Sequence, residues 1–234
     1  ELAEELKKTP GLTLKPVVIQ GCFWLYFPDQ WDAKSPWHDQ RVREAARLAI
    51  DYKSISEALT LGHSPITNSI IPDSFDFYWK PPAAVYDLAK AKKLLAEAGF
   101  RNGFDAGDYY CDSSYANLGE AVLNNLQEAG IRVKLRPLER AAFFSRYSAK
   151  KVEKINPGRK RKNIIQGASG PFGNAGPRLE ASAAKGGAYA YGSYPEIDTL
   201  FAEQATEIDV AKRTALLHRI QQILHEKSVY APIW

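Results

Sequence analysis

The strongest hydrophobic pattern in the chain lies in residues 36–62, PWHDQRVREAARLAIDYKSISEALTLG. Val42, Ala45, Ala46, Ala49 and Ile50 recur at i, i+3, i+4, i+7 and i+8, which is one stripe of an α-helix. Asp39 stands where an N-cap carboxylate accepts a backbone N–H that would otherwise lack a partner. Arg41, Arg43, Glu44 and Arg47 occupy mainly the other faces, so the pattern predicts a half-buried helix. The three alanines permit close approach of another backbone, and a sheet is expected against them. A short second helix over residues 54–59 ends at Gly62.

Residues 12–19 (LTLKPVVI) and 22–27 (CFWLYF) read as strands, the first from its β-branched residues and the second from its aromatics. Residues 63–86 show no period. They hold four prolines with Phe75, Phe77, Tyr78 and Trp79 interleaved, and predict an ordered covering segment whose rings pack down. Asp87 caps the next helix, with Leu88, Ala91, Leu95 and Ala98 on its apolar face and Gly99 after it. A short strand at 109–111, a helix from Ser113 or Ser114 to Ala129, and the alternating strand 131–137 (IRVKLRP) compose a βαβ unit. Asp105 and Asp108 weaken the start of the first strand. Beyond it the pattern predicts a helix over 139–151 with Ala142, Phe143 and Phe144 inward, a strand at 163–166, and a Gly-rich loop at 167–178. Helices from Pro195 and Asp209 follow, and the chain ends extended at 229–234.

At 234 residues the chain suits one large domain or two small ones, and no apolar run approaches the ~20 residues that span a bilayer. There is no Met, and the charged opening ELAEELKK is not a signal peptide. Cys22 and Cys111, far apart in apolar contexts, read as buried free thiols, with a disulfide between them as the alternative. The net charge of +4 hides a segment, 132–162, with twelve Lys/Arg against two Glu. A nucleic-acid-binding module using that segment is therefore the alternative function.

Catalytic constellations are not found. His225-Glu226 lacks the second histidine of a zinc-protease helix, and no G-x-S-x-G elbow occurs, which leaves a hydrolase without a nucleophile and base. The glycines of 167–178 lack GK[ST] and the dinucleotide spacing, yet follow a strand directly and permit close backbone approach, which reads equally as a binding loop or as a structural turn. Phe172 offers a stacking face there, Asn174 a neutral amide and Arg178 an anion partner.

Three stretches carry a resemblance: SPWHDQRVREAARLAIDYKSI, VYDLAKAKKLLAEAGFRNGFD and YPEIDTLFAEQATEIDVAKRTALLHRIQQILHEKSVYAPIW. Each alone is a capped amphipathic helix or pair. In this order and at these separations they resemble the extracytoplasmic solute-binding proteins of peptide-type ABC importers, family 5, whose members take oligopeptides, dipeptides or nickel. The resemblance implies an α/β fold, a periplasmic-binding-protein-like lobe (type II, cluster C) with a mixed sheet flanked by helices. It covers part of the family's chain, so an excised carboxy-terminal lobe is expected. Residues 1–28 would be an incoming segment with crossing strands, 29–228 the ligand-binding lobe, and 229–234 the start of a return crossing strand.

The implied function is non-enzymatic and needs no cofactor or metal. A peptide or other small solute is captured in the periplasm, or extracytoplasmically at the membrane, and handed to the membrane permease. The missing first lobe completes the clamp, and nucleic acid is no partner. The expected ligand-facing wall comprises Phe172, Asn174, Arg178, Tyr189 and Tyr191, with Trp24, while Arg140 meets an anionic group or forms a salt bridge with Glu139 or a neighbour. The family usually carries Gly-Trp after the strand matching 163–166, and an Asp-Pro whose acid holds a peptide's α-ammonium. Here the pair reads Gly167-Ala168, and Asn174 or Gly176-Pro177 stands near the position of the acid. An uncompensated ammonium in a closed cleft is expensive, so a ligand other than a free-amino peptide is expected.

Overall fold

Strand pairing organises the computed structural model, which describes residues 2–15, 17, 19–147, 163–168 and 173–234. Among these, five strands form one sheet: β1 (Phe23–Tyr26), β2 (Phe104–Asp112), β3 (Ile131–Leu138), β4 (Asn163–Ala168) and β5 (Tyr230–Pro232), in the order β3-β2-β4-β1-β5. The first three in that order run parallel, and β1 is antiparallel to both β4 and β5. The predicted βαβ unit is thus present, and the sheet is mixed. β2 starts earlier than its acids suggested. Asp105 accepts the Gly107 N–H at 2.9 Å within a register shift, and Asp108 takes Arg136 Nε and the Tyr110 hydroxyl, both at 2.9 Å. Carboxylates that read as turn formers are satisfied inside the strand.

The predicted strand over 12–19 does not form. Its described residues pair with nothing in the sheet, and Val17 and Ile19 are 84% and 74% exposed. An alternating apolar segment becomes a strand only where a neighbour completes its hydrogen bonds and a surface covers its side chains.

The helices are α1 (Leu2–Leu6), α2 (Gln40–Ala49), α3 (Tyr52–Thr60), α4 (Leu88–Glu97), α5 (Ala116–Ala129), α6 (Arg140–Tyr147), α7 (Ala175–Ser182), α8 (Pro195–Thr206) and α9 (Val210–Glu226). Four aspartates start four of them. Asp39, Asp51, Asp87 and Asp209 accept the N–H of Arg41, Ser54, Lys90 and Lys212 at 2.8–3.0 Å. The stripe Val42, Ala45, Ala46 and Ala49 is buried as its spacing dictates, but its most extensive packing is on α4, with β5 and α5 touching it as well. In α6 only Phe143 and Tyr147, one turn apart, are buried. Ala142 and Phe144 face outward, because a single short helix presents one stripe to the sheet. The predicted continuation to 151 and the basic run 159–162 lie outside the described residues.

Arg43 is the larger departure. Instead of facing solvent it is 2% exposed, and its guanidinium donates to the carbonyls of Trp37, His38, Lys227 and Ser228 at 2.6–3.2 Å. It ties the start of α2 to the turn that ends α9. Burial pulls its pKa down, yet the four carbonyls take four of its five N–H donors.

The two faces of the sheet carry separate cores. Leu25, Phe27, Tyr109, Ile131 and Ile164 meet α2, α4 and α5 on one face. Trp24, Tyr26 and Tyr230 meet α7, α9 and the covering segment (Ile70, Ile71, Phe75) on the other. Residues 63–86 contain no helix or strand, as predicted, and Phe75 is buried.

Replacing Arg43 with Met should leave four inward carbonyls without donors. The unfolding free energy is expected to fall by about 3 kcal/mol, measured by urea denaturation, with helix content by circular dichroism unchanged.

Candidate functional site

In an open sheet of this kind the ligand crevice lies where neighbouring parallel strands send their connections to opposite faces. β2 and β4 are such neighbours. The chain leaving β2 turns into α5, whose Leu118, Val122 and Leu126 belong to the first core. The chain leaving β4 leads to α7, whose Ala175 and Leu179 belong to the second. Register brings further strand ends to the same edge. Phe23 pairs with Ala168 at the end of β4, and its N–H donates to the Trp234 carbonyl at 2.6 Å. Asp112, Ala168, Phe23 and Trp234 therefore share one rim.

Each rim group is positioned by a traceable contact. Asp112 accepts the Ser114 N–H and Arg140 Nε, both at 2.9 Å. Burial works against its charge, but Arg140 and the Ser114 hydrogen bonds outweigh it and hold the carboxyl below its ordinary range. The carboxylate is 5% exposed while the Arg140 side chain is 60% exposed, so a buried acid aims a solvent-facing guanidinium. Glu139, the other partner considered for Arg140, instead accepts the N–H of Ala141 and Ala142 at the start of α6. Gln166 takes the Tyr109 hydroxyl at 2.6 Å and donates to the Tyr115 carbonyl at 3.4 Å, steadying the turn that lays Tyr115 edge-on against Phe23 at 4.7 Å. Phe23, Tyr115 and Trp234 form one wall of a cleft of about 1050 Å³ that also takes in Tyr78, Asp73 and Lys80.

Behind the rim stands an aromatic block. Gly167 lies opposite Trp24 in the β1–β4 register. A Cβ there would clash with the Trp24 indole, its Cε2 at 2.5 Å, and would sit 2.9 Å from the Tyr147 hydroxyl. The Arg178 guanidinium lies over the Trp24 ring at 5.6 Å. Both residues are nearly fully buried, and burial pulls the Arg178 pKa down. Tyr189 stacks on Tyr147 at 4.7 Å, and Tyr191 donates through its hydroxyl to the Tyr147 carbonyl at 2.9 Å. Tyr191 N–H also reaches the Tyr26 hydroxyl, whose pKa burial pushes up to about 12.

Of the residues expected at a ligand wall, the structure gathers Trp24, Arg178, Tyr189 and Tyr191 into this block. Arg140 stands apart at the strand ends. Asn174 serves as N-cap of α7, its side-chain oxygen accepting the Gly176 N–H at 2.8 Å. Phe172 lies outside the described residues. Sequence reading missed Asp112, Tyr115, Tyr147 and Arg146, whose guanidinium rests 4.6 Å from the centre of the Tyr110 ring. The alternation of β2 offered a signal for Asp112, but nothing local marked the others. Cys22 and Cys111 are buried free thiols, and burial pushes their pKa values up, to about 12 and about 11. Among the described residues, no three or more His, Cys, Asp or Glu side chains gather where they could hold a metal ion, and no helix is long and apolar enough to cross a membrane.

The family described as bacterial extracellular solute-binding proteins, family 5 Middle, matches residues 1–161. The chain belongs to this family. A probable di/tripeptide-binding protein 5 of Pseudomonas aeruginosa is 27% identical over 207 residues, covering 85% of this chain and 38% of the relative. Heme-binding protein A of Haemophilus influenzae is 28% identical over 212 residues, 86% of this chain and 37% of that protein. The chain thus spans less than half the length of these relatives. In fold it is similar to the periplasmic binding protein DppA of Helicobacter pylori in complex with peptide STSA, with a TM-score of 0.83 at 20% identity over 99% of this chain and 44% of that one. HbpA2 of Haemophilus parasuis gives a TM-score of 0.79 at 22% identity, covering 98% of this chain and 45% of that one. These likenesses confirm the periplasmic-binding-protein-like α/β fold.

Gly167→Ala is expected to displace the Trp24 indole and lower stability by about 1–3 kcal/mol through overpacking. Urea denaturation with near-ultraviolet circular dichroism of the indole bands would register both effects.

Proposed function

We propose, with that family as premise, that this chain forms one ligand-facing wall of an extracytoplasmic solute-capture protein serving an ABC importer. The solute is small, carries an anionic group and needs no free ammonium. The rest of the longer protein supplies the opposing wall, hinge closure encloses the solute, and the closed complex delivers it to the membrane permease from the periplasm.

The observation that carries this reading is the Asp112–Arg140 pair at the diverging ends of β2 and β4. A buried carboxylate fixes the guanidinium at Nε, leaving the outward face of its fork for a carboxylate or phosphate. The neutral side speaks in the same sense. Asn174 stands near the family's acid, and its side-chain oxygen is engaged in capping α7, so it offers an ammonium no charge. Trp24, Arg178, Tyr189 and Tyr191 back the site, with Phe172 proposed beside them. The relatives' names cover a di/tripeptide, heme and, in GsiB, glutathione, so within this family the wall residues rather than the fold select the ligand.

Capture is favoured over conversion because the family consists of solute-binding proteins. The nucleic-acid alternative finds no support. In the described part of the basic segment, Arg136 and Arg140 are each paired with an aspartate at 2.9 Å.

Calorimetry on the full-length protein tests the reading with a free dipeptide, its N-acetyl derivative and its C-terminal amide. N-acetylation should leave affinity unchanged. Amidation, or Arg140→Gln, should each weaken it at least tenfold, about 1.4 kcal/mol. Tight binding that depends on the free amine would overturn it.

A further inference from the structure

We infer that His225 and Arg47 form an acid-released latch that fastens the covering segment, residues 63–86, to the helical layer of α2 and α9. Arg47 Nη1 approaches His225 Nδ1 at 3.3 Å. A guanidinium only donates and stays charged, so Nδ1 accepts, and the ring is the neutral imidazole with its proton on Nε2. Protonation of Nδ1 replaces that acceptor with a second donor and sets two cations against each other. One hydrogen bond becomes a repulsion.

The surrounding charges do not cancel it. Glu44 on α2 lies 3.3 Å from Lys90, and Glu226 on α9 accepts Arg219 at 3.1 Å, so both nearby carboxylates are already engaged by cations. The covering segment brings Asn68, Ser69 and Trp79 to the junction, and β5 brings Tyr230 and Pro232, all uncharged at neutral pH. Lys80, next along the segment, lines the large cleft instead. Burial first, and the Arg47 charge second, hold the His225 pKa below the ordinary histidine value. The contribution to stability is therefore complete above that ordinary value and is lost as pH falls through the lowered one.

The imidazole also touches what it would release. Trp79 meets it edge-on at 5.7 Å. One turn earlier on α9, Gln221 accepts the Trp79 N–H at 3.0 Å and donates to the Phe77 carbonyl at 2.8 Å. A void of about 20 Å³ between Arg47, Asn68, Trp79 and His225 has room for one water, which would hydrate the charged ring. Because the covering segment also walls the large cleft at Asp73 and Tyr78, its release alters the shape of that cleft.

Amide hydrogen exchange on the full-length protein, corrected for intrinsic rates, tests the latch at about pH 7.5 and about pH 5. Protection at residues 77–79 should fall on the order of tenfold at the lower pH. His225→Gln keeps an acceptor toward Arg47 but does not titrate, and should show no fall. In Arg47→Gln the imidazole midpoint, followed by nuclear magnetic resonance, should rise toward the ordinary histidine value. Equal protection at both pH values in the wild type, the same fall in His225→Gln, or an unmoved midpoint in Arg47→Gln would each overturn the latch.

Discussion

The pairing of Trp24 with Gly167 is the contact on which the rest of the site depends. An indole cannot lie across a neighbouring strand that carries a Cβ at the facing position, and the missing side chain at 167 makes the room. That pairing fixes β1 antiparallel against β4. It follows that Phe23 meets Ala168, and that the Trp234 carbonyl is held by the Phe23 N–H. The same indole gives Arg178 its seat, 5.6 Å from its ring centre.

Charge is distributed by a second rule: guanidinium groups sit where acceptors converge. Arg43 is deep, and four carbonyls from two distant chain segments take its donors. Arg140 is shallow, and the buried Asp112 carboxylate is its principal partner. The first arrangement is structural, since every acceptor belongs to a chain turn that would otherwise end without a donor. The second leaves donor capacity outward, which makes the same residue type suited to recognition. Arg47 is intermediate: its partner is a titratable imidazole, whose acceptor nitrogen is lost on protonation.

The family relation and the geometry complement each other. The family match over residues 1–161 places the chain among solute-binding proteins, while the fold alone is shared with proteins at about 20% identity. Neither selects a ligand. Under the proposed function that choice falls to the outward Arg140 guanidinium at the strand ends, with the tyrosine stack behind it and Asn174 engaged in capping.

By itself the sequence determined what short-range physics controls. The aspartate caps at Asp39, Asp87 and Asp209, the alanine stripe of α2 and the alternation of β3 each depend on neighbours within a few residues, and each formed as its pattern dictates. The family was legible too, because capped helices in a fixed order leave a linear trace. Tertiary structure decided the rest. The segment 12–19 has strand composition, but its described residues pair with nothing in the sheet; Arg43 has a surface residue's chemistry but four converging carbonyls; Phe144 has a core residue's chemistry but the wrong face of a short helix. In the site, Arg178 and the tyrosines were visible as residue types. Asp112 beneath Arg140 and Tyr147 beneath Tyr189 were not, because strand order and register set those contacts between residues 28 and 42 positions apart, and a linear pattern carries no record of which strands lie side by side.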